Sequence, residues 1–194
     1  MDNPKLFMLM LGCKPPGRYT EQHDILFTIA NDFPETETDA RAFWKEAEKI
    51  HIDAWKVVTQ VDGYKISVVP KASIKEKINK KLFFINLGGY KEGEFDEFHY
   101  KVLVVAETIS EAQAKAKESA FCLHYPGVSK NSLPHIDDKY GVDVEEGETY
   151  EVQEILPLYL KDEYSILIED ILFNEEITGD EIHLGYQRYE KLKK

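Results

Sequence analysis

The clearest pattern along the chain is a pair of short, almost unbroken apolar runs, each stopped by glycine. Leu6-Phe7-Met8-Leu9-Met10-Leu11 precedes Gly12, and Leu82-Phe83-Phe84-Ile85-Asn86-Leu87 precedes Gly88. Runs of this length bounded by turn formers predict buried strands. A glycine-bearing loop follows each run, with Pro15 and Pro16 in the first. Ile25 to Ala30 and Val102 to Ala106 then predict a second strand from their β-branched and aromatic content.

Helical spacing comes next. Ala40, Phe43, Trp44, Ala47 and Ile50 define an apolar stripe, with Thr36 or Thr38 as the N-cap. In the later segment Ser110-Glu111-Ala112-Gln113 has the form of a capping box opening a helix that runs to about Phe121. After each helix an element begins at His-Ile-Asp, and Asp62-Gly63 predicts a tight hairpin turn between Trp55–Val61 and Tyr64–Val69.

The two segments are copies of each other. Residues 5–30 align without gaps on 81–106, with Lys5, Leu6, Phe7, Leu11, Gly12, Gly17, Glu21, His23 and Ala30 identical to their counterparts. The match resumes after an eight-residue insertion, where His51-Ile52-Asp53 returns as His135-Ile136-Asp137 and Asp62-Gly63 as Glu146-Gly147. The expected fold class is therefore α+β: two tandem β-loop-β-α-β-β repeats related by a pseudo-twofold, with a C-terminal extension. The boundaries follow as 1–69 for the first repeat, 70–80 for a lysine-rich linker, 81–155 for the second repeat and 156–194 for an extension packing on the second repeat. In that extension Ile155–Leu160 and Ile182–Tyr186 suggest strands, while Tyr164–Phe173 fits either helix or strand.

The paired motifs (Lys-Leu-Phe, Leu-Gly, Gly-x-x-x-Glu-x-His, His-Ile-Asp and Asp-Gly-Tyr) resemble a bacterial family known only as a domain of unknown function, numbered fifteen-forty-three. The resemblance is densest at Leu82–His99 and His51–Tyr64. Gly88-Gly89 matches the double glycine of the family, whereas the first copy has Gly12-Cys13, and Tyr100 stands where the first copy has Asp24. The resemblance implies a compact bacterial cytoplasmic protein and brings no catalytic residue, substrate or cofactor with it.

Composition narrows the classes. The chain has 194 residues with 43% hydrophobic content, enough for a packed core. Its formal net charge of -12 argues against nucleic acid as a partner. No run approaches the roughly 20 apolar residues that cross a bilayer, and Met1-Asp2-Asn3-Pro4 does not open a signal peptide. Two unduplicated cysteines, Cys13 and Cys122, suit a reducing cytoplasm and buried structural roles.

Candidate chemistry concentrates on histidine. Glu21-x-His23 and Glu97-x-His99 sit at strand entrances, where residues two apart share a face. Brought together, they offer a Zn²⁺, Mn²⁺ or iron site, or an acid–base pair. The plainer reading has each Glu accept from its glycine loop and each His fill a polar hole. His51 and His135 are further metal candidates if the first two strands lie beside the third. Otherwise they mark a helix C-terminus, with Asp53 and Asp137 capping a turn. Gly12-x-x-x-x-Gly17 has P-loop glycine spacing but lacks the Lys-Ser/Thr, so its glycines are expected to serve positive φ angles. The leading expectation is a non-enzymatic binding or interaction module for a protein or small-molecule ligand. The alternative is a metal-binding or acid–base enzyme using the duplicated Glu-x-His pairs.

Overall fold

The computed structural model describes residues 4–45, 47, 49–74, 79–91, 95–124, 142–171 and 179–189. It is α+β, with antiparallel sheets and few helices, divided into two units: Met1–Lys77 with Gln153–Lys194, and Ile78–Val152.

In the first unit β1 (Lys5–Cys13) pairs along its whole length with β2 (Gln22–Ala30), from Lys5↔Ala30 to Cys13↔Gln22. A 3₁₀ turn, Pro34–Thr36, leads into α1 (Glu37–Phe43). Then β3 (His51–Val57) pairs with the other edge of β1. β1 is interior to the sheet, so its neighbours pair both of its edges; along the run Phe7, Leu9 and Leu11 on one face are buried, as is Leu6, while Met8 and Met10 on the other face are half-buried. Phe7, Leu9 and Leu11 pack on Leu26, Ala40, Ile50 and Ile52. Burying such side chains stabilises by about 1.5–3 kcal/mol each.

The helix is shorter than the apolar stripe predicts. Trp44 leaves helical geometry at φ -119°, ψ 71°, yet Trp44 and Ala47 still pack on the core. Thr36 precedes the helix without capping it, since its hydroxyl donates to the Phe33 carbonyl instead.

The turn at Asp62-Gly63 forms as expected, but it joins the two-residue β4 (Gln60–Val61) to β5 (Tyr64–Pro70), with Val61 opposite Tyr64, rather than a strand running from Trp55, which belongs to β3 in another sheet. Both turn residues have positive φ, 54° and 80°, which the Asp-Gly pair accommodates.

The C-terminal extension belongs to this first unit, which corrects the expectation that it packs on the second repeat. After α3 (Val152–Ile155) and α4 (Leu158–Glu163), β9 (Tyr164–Asp170) pairs with β5 over seven residues, and β10 (His183–Gln187) pairs with β3. Both β5 and β3 would otherwise present unpaired edges. Ile155–Leu160 is helical rather than a strand, because Pro157 interrupts the run and caps a new turn, its carbonyl accepting from Leu160 and Lys161.

In the second unit β6 (Lys81–Lys91) lies between β7 (Phe98–Ala106) and β8 (Val142–Glu151). The β6–β7 register, from Lys81↔Ala106 to Gly88↔His99, repeats that of β1 on β2 at every aligned position. Between β7 and β8 runs α2 (Ile109–His124), whose Ala112 and Ala116 pack on Phe83, Ile85, Leu87 and Val104. Its capping residue is Thr108 rather than Ser110. The Thr108 hydroxyl accepts from Glu111 N at 3.2 Å, and the Glu111 carboxylate reaches back to Glu107 N at 3.0 Å.

The third strand also departs from the alignment. It starts at Val142, and Glu146-Gly147 lies inside it rather than at a hairpin, so the described second unit is β-β-α-β. His135-Ile136-Asp137 lies outside the described residues, and with it the His135 metal candidate.

Candidate metal centre

The strand order β10-β3-β1-β2 builds the site. Gly12 on β1 is opposite His23 on β2 and opposite His51 on β3. Directly paired residues project to the same face, so the two imidazoles flank a position that has no side chain of its own. Gly12 is needed for space, not for a positive φ; that conformation belongs to Gly17, at 77°. A Cβ at position 12 would overlap His51 Nε2 and Asp53 Oδ2, and would lie 2.9 Å from His51 Cε1.

Asp53 arrives through a β-bulge. Leu11 pairs with Ile52 and Met10 with Ala54, leaving Asp53 as the extra residue. Bulges re-aim side chains beside functional sites, and here Asp53 Oδ2 comes 3.2 Å from His51 Nε2 and 3.1 Å from His23 Nε2. Glu21, two residues before His23, closes the group: its Oε1 is 3.2 Å from His51 Nε2 and its Oε2 is 3.9 Å from His23 Nε2. The donor atoms of Glu21, His23 and His51 all lie within 4.8 Å of one another. Ligands about 2.0–2.2 Å from a tetrahedral ion are separated by roughly 3.3–3.6 Å, close to these spacings.

His51 is 3% exposed and starts a strand. This corrects its placement at a helix C-terminus, and Asp53 caps no turn. The Tyr186 ring of β10 stacks on His51 with centroids 4.0 Å apart. His51 Nε2 and Asp53 Oδ2 are both buried and, among the described residues, both without a hydrogen bond, although they are only 3.2 Å apart. Two close, unaligned polar atoms of this kind cost about 1–3 kcal/mol each unless something else satisfies them. With neutral imidazoles the four side chains carry two negative charges, which a divalent cation balances. Glu21 and His23 keep 44% and 41% of their side-chain surface exposed, so the outer side of the cluster is open to solvent.

Cys13, next along β1, is buried; its thiol is pushed up from its usual pKa by burial and then by the charge of Glu21. It stays a protonated thiol at neutral pH, in keeping with a structural role. Behind the sheet, buried Asp39 accepts from the Thr28 hydroxyl and from Tyr159 OH, the latter at 2.7 Å. Burial, then that hydrogen bond, raises the Tyr159 pKa.

Of the sequence candidates, Glu21, His23 and His51 come together in the first unit. Glu97 and His99 lie in the second, beside Gly88 and Asn86. Asp53, Gly12 and Tyr186 escaped the sequence reading as site residues. The repeated His-x-Asp spacing and the repeated glycine were signals for the first two; nothing in the sequence marks Tyr186.

Residues 18–68, which contain Glu21, His23, His51 and Asp53, match the family model of Domain of Unknown Function (DUF1543), the family that the motifs resemble. No curated protein matches the chain. Among solved structures, a protein Il1583 from Idiomarina loihiensis is similar at a TM-score of 0.60 and 22% identity, over 95% of this chain and 97% of that one. This likeness carries the fold. No helix among the described residues is long and apolar enough to cross a membrane.

Proposed function

We propose that the protein is a divalent-metal-binding module whose centre is formed by Glu21, His23, His51 and Asp53 around Gly12. The observation that supports this reading is the pair of buried atoms His51 Nε2 and Asp53 Oδ2, which lie 3.2 Å apart and make no hydrogen bond among the described residues. Two imidazoles and two carboxylates suit Zn²⁺, Mn²⁺ or Fe²⁺. The half-exposed Glu21 and His23 leave room on the outer side for a water or a small ligand, so the module would present its ion to solvent rather than seal it in. The two units descend, in this reading, from one duplicated strand–loop–strand unit. The reducing, cytoplasmic setting suggested by two isolated cysteines suits such a centre.

Cobalt(II) titration of tag-free, metal-stripped protein tests the proposal. One equivalent should give the visible absorption of imidazole-ligated Co²⁺, and His51→Ala should abolish it. A titration spectrum no different from aqueous Co²⁺ would overturn it.

A further inference from the structure

The other end of the strands that build the metal centre holds a cleft. Val58 N donates to the Leu6 carbonyl at 2.8 Å, extending the β1–β3 pairing, and Ile66 N donates to the Thr59 carbonyl at 2.7 Å, extending that of β4 and β5. β4 covers two residues of β5, whereas β9 covers seven on the opposite edge. Beyond Ile66 the β4-side edge of β5 therefore has no strand beside it among the described residues. Residues two apart in an antiparallel strand aim their peptide groups to the same side, so Val68 turns its N–H and C=O to that open edge. Between this edge and the start of β1 lies a cleft of about 630 Å³, within the size range of small-ligand pockets. Lys5, which lines it, is seven positions from Gly12 on β1, about 23 Å at the rise of a strand, so the cleft is distinct from the metal centre.

The lining pairs apolar surface with positive charge. Leu6, Val58 and Ile66 are buried and contribute its apolar part. Lys5 and Lys65 contribute two ammonium groups, and no Asp or Glu among the described residues lines the cleft, in a chain with 36 acidic and 24 basic residues. Glu169, opposite Lys65 on β9, lies outside it. Gln60 supplies an independent observation. Its Oε1 is buried and has no hydrogen-bond partner among the described residues, and a buried acceptor of that kind costs free energy until a donor reaches it.

We propose that this cleft binds the carboxyl-terminal end of a short apolar peptide in extended conformation. The two lysines suit the terminal carboxylate, and Gln60 Oε1 accepts from a peptide N–H of the ligand. The open edge at Val68 pairs with the ligand main chain as an added strand, while the apolar lining takes a side chain. A fatty acid would use the lysines and the apolar lining but would leave the Gln60 oxygen and the Val68 peptide groups unmatched. This inference does not depend on the metal centre binding anything.

Nitrogen-15 NMR titration of tag-free full-length protein tests it, with the tripeptide acetyl-Ala-Ala-Val, its carboxy-terminal amide and octanoate as probes. The free acid should saturate one site and shift the Val68 amide, and the amide should bind at least tenfold more weakly. Lys65→Glu, a change at an exposed side chain, should weaken the free acid at least tenfold, and Gln60→Leu should weaken it about fivefold. His51→Ala should bind it as the wild type does, which separates this site from the metal centre. No saturable shift at Val68, equal binding of acid and amide, octanoate binding as tightly as the peptide, or indifference to Lys65→Glu would each overturn the proposal.

Discussion

Replacing Gly12 with alanine tests the geometry of the first centre with a single methyl group. The backbone at Gly12 has no positive φ, so alanine meets no conformational penalty there. The new Cβ instead collides with His51 Nε2 and Asp53 Oδ2 and comes within 2.9 Å of His51 Cε1. Comfortable non-bonded contact begins near 3.5 Å. His51 cannot retreat cheaply, being 3% exposed and covered by the Tyr186 ring. Overpacking of this kind costs about 1–3 kcal/mol, and the reduced freedom of the unfolded chain offsets about 0.4–1 kcal/mol. The net loss is about 1.5 kcal/mol, or roughly 3–6 °C in Tm for a chain of this size. Metal affinity should fall by more than the roughly 10–100-fold typical of losing an outer-shell partner, because two ligands are displaced together. Gly88→Ala is the control. Among the described residues its Cβ meets only the carboxylate end of Glu97, at 3.0 Å. That flexible, half-exposed side chain can swing aside, so the stability change should stay within about 0.5 kcal/mol. Differential scanning calorimetry and a Zn²⁺ titration of both variants decide the matter. Equal Tm and equal affinity for Gly12→Ala and wild type would refute the argument, as would equal damage from the two substitutions.

Other outcomes follow from the same structure. Removal of metal with a chelator should lower the Tm of the first unit, and re-addition at about 100 times the dissociation constant should restore about 2.7 kcal/mol; a melt indifferent to chelator speaks against a bound ion. Tyr189 has its pKa pushed up to about 12, chiefly by burial, so the folded state holds a proton that the unfolded chain releases near pH 10. Its contribution, about 3 kcal/mol, is intact below about pH 10 and is lost as pH rises toward 12. Urea midpoints should therefore fall across that window, less steeply in Tyr189→Phe. Thr108→Ala removes the cap of α2 and should cost about 1 kcal/mol, seen as faster amide exchange in the first turn of that helix.

The local pattern of the chain was legible, and its pairing across long distances was not. The apolar runs at 6–11 and 82–87 are strands that pair on both edges and bury most of their side chains, and the Asp62-Gly63 turn follows from two positive φ angles. The Glu-x-His pairs stood out because the same spacing recurs at 21–23 and 97–99. The stripe from Ala40 to Ile50 hid the early end of α1, since Trp44 and Ala47 reach the same core from outside the helix. That error moved His51 to a helix end. Its meeting with His23 depends on β3 choosing the free edge of β1, a choice made by tertiary packing rather than by local propensity. Asp53 needs a bulge and Tyr186 a returning strand from the end of the chain, and neither leaves a local signature. The sequence alignment also carried His51 onto His135, whereas strand pairing sets Glu145 opposite Gly88.

The most direct measurement is the metal content of tag-free protein as isolated, by elemental analysis, alongside His23→Ala and His51→Ala variants shown to be folded. The account predicts near-stoichiometric Zn, Mn or Fe in the wild type and its loss in both variants. A folded wild-type protein without metal that also fails to take up ion on re-addition would contradict it.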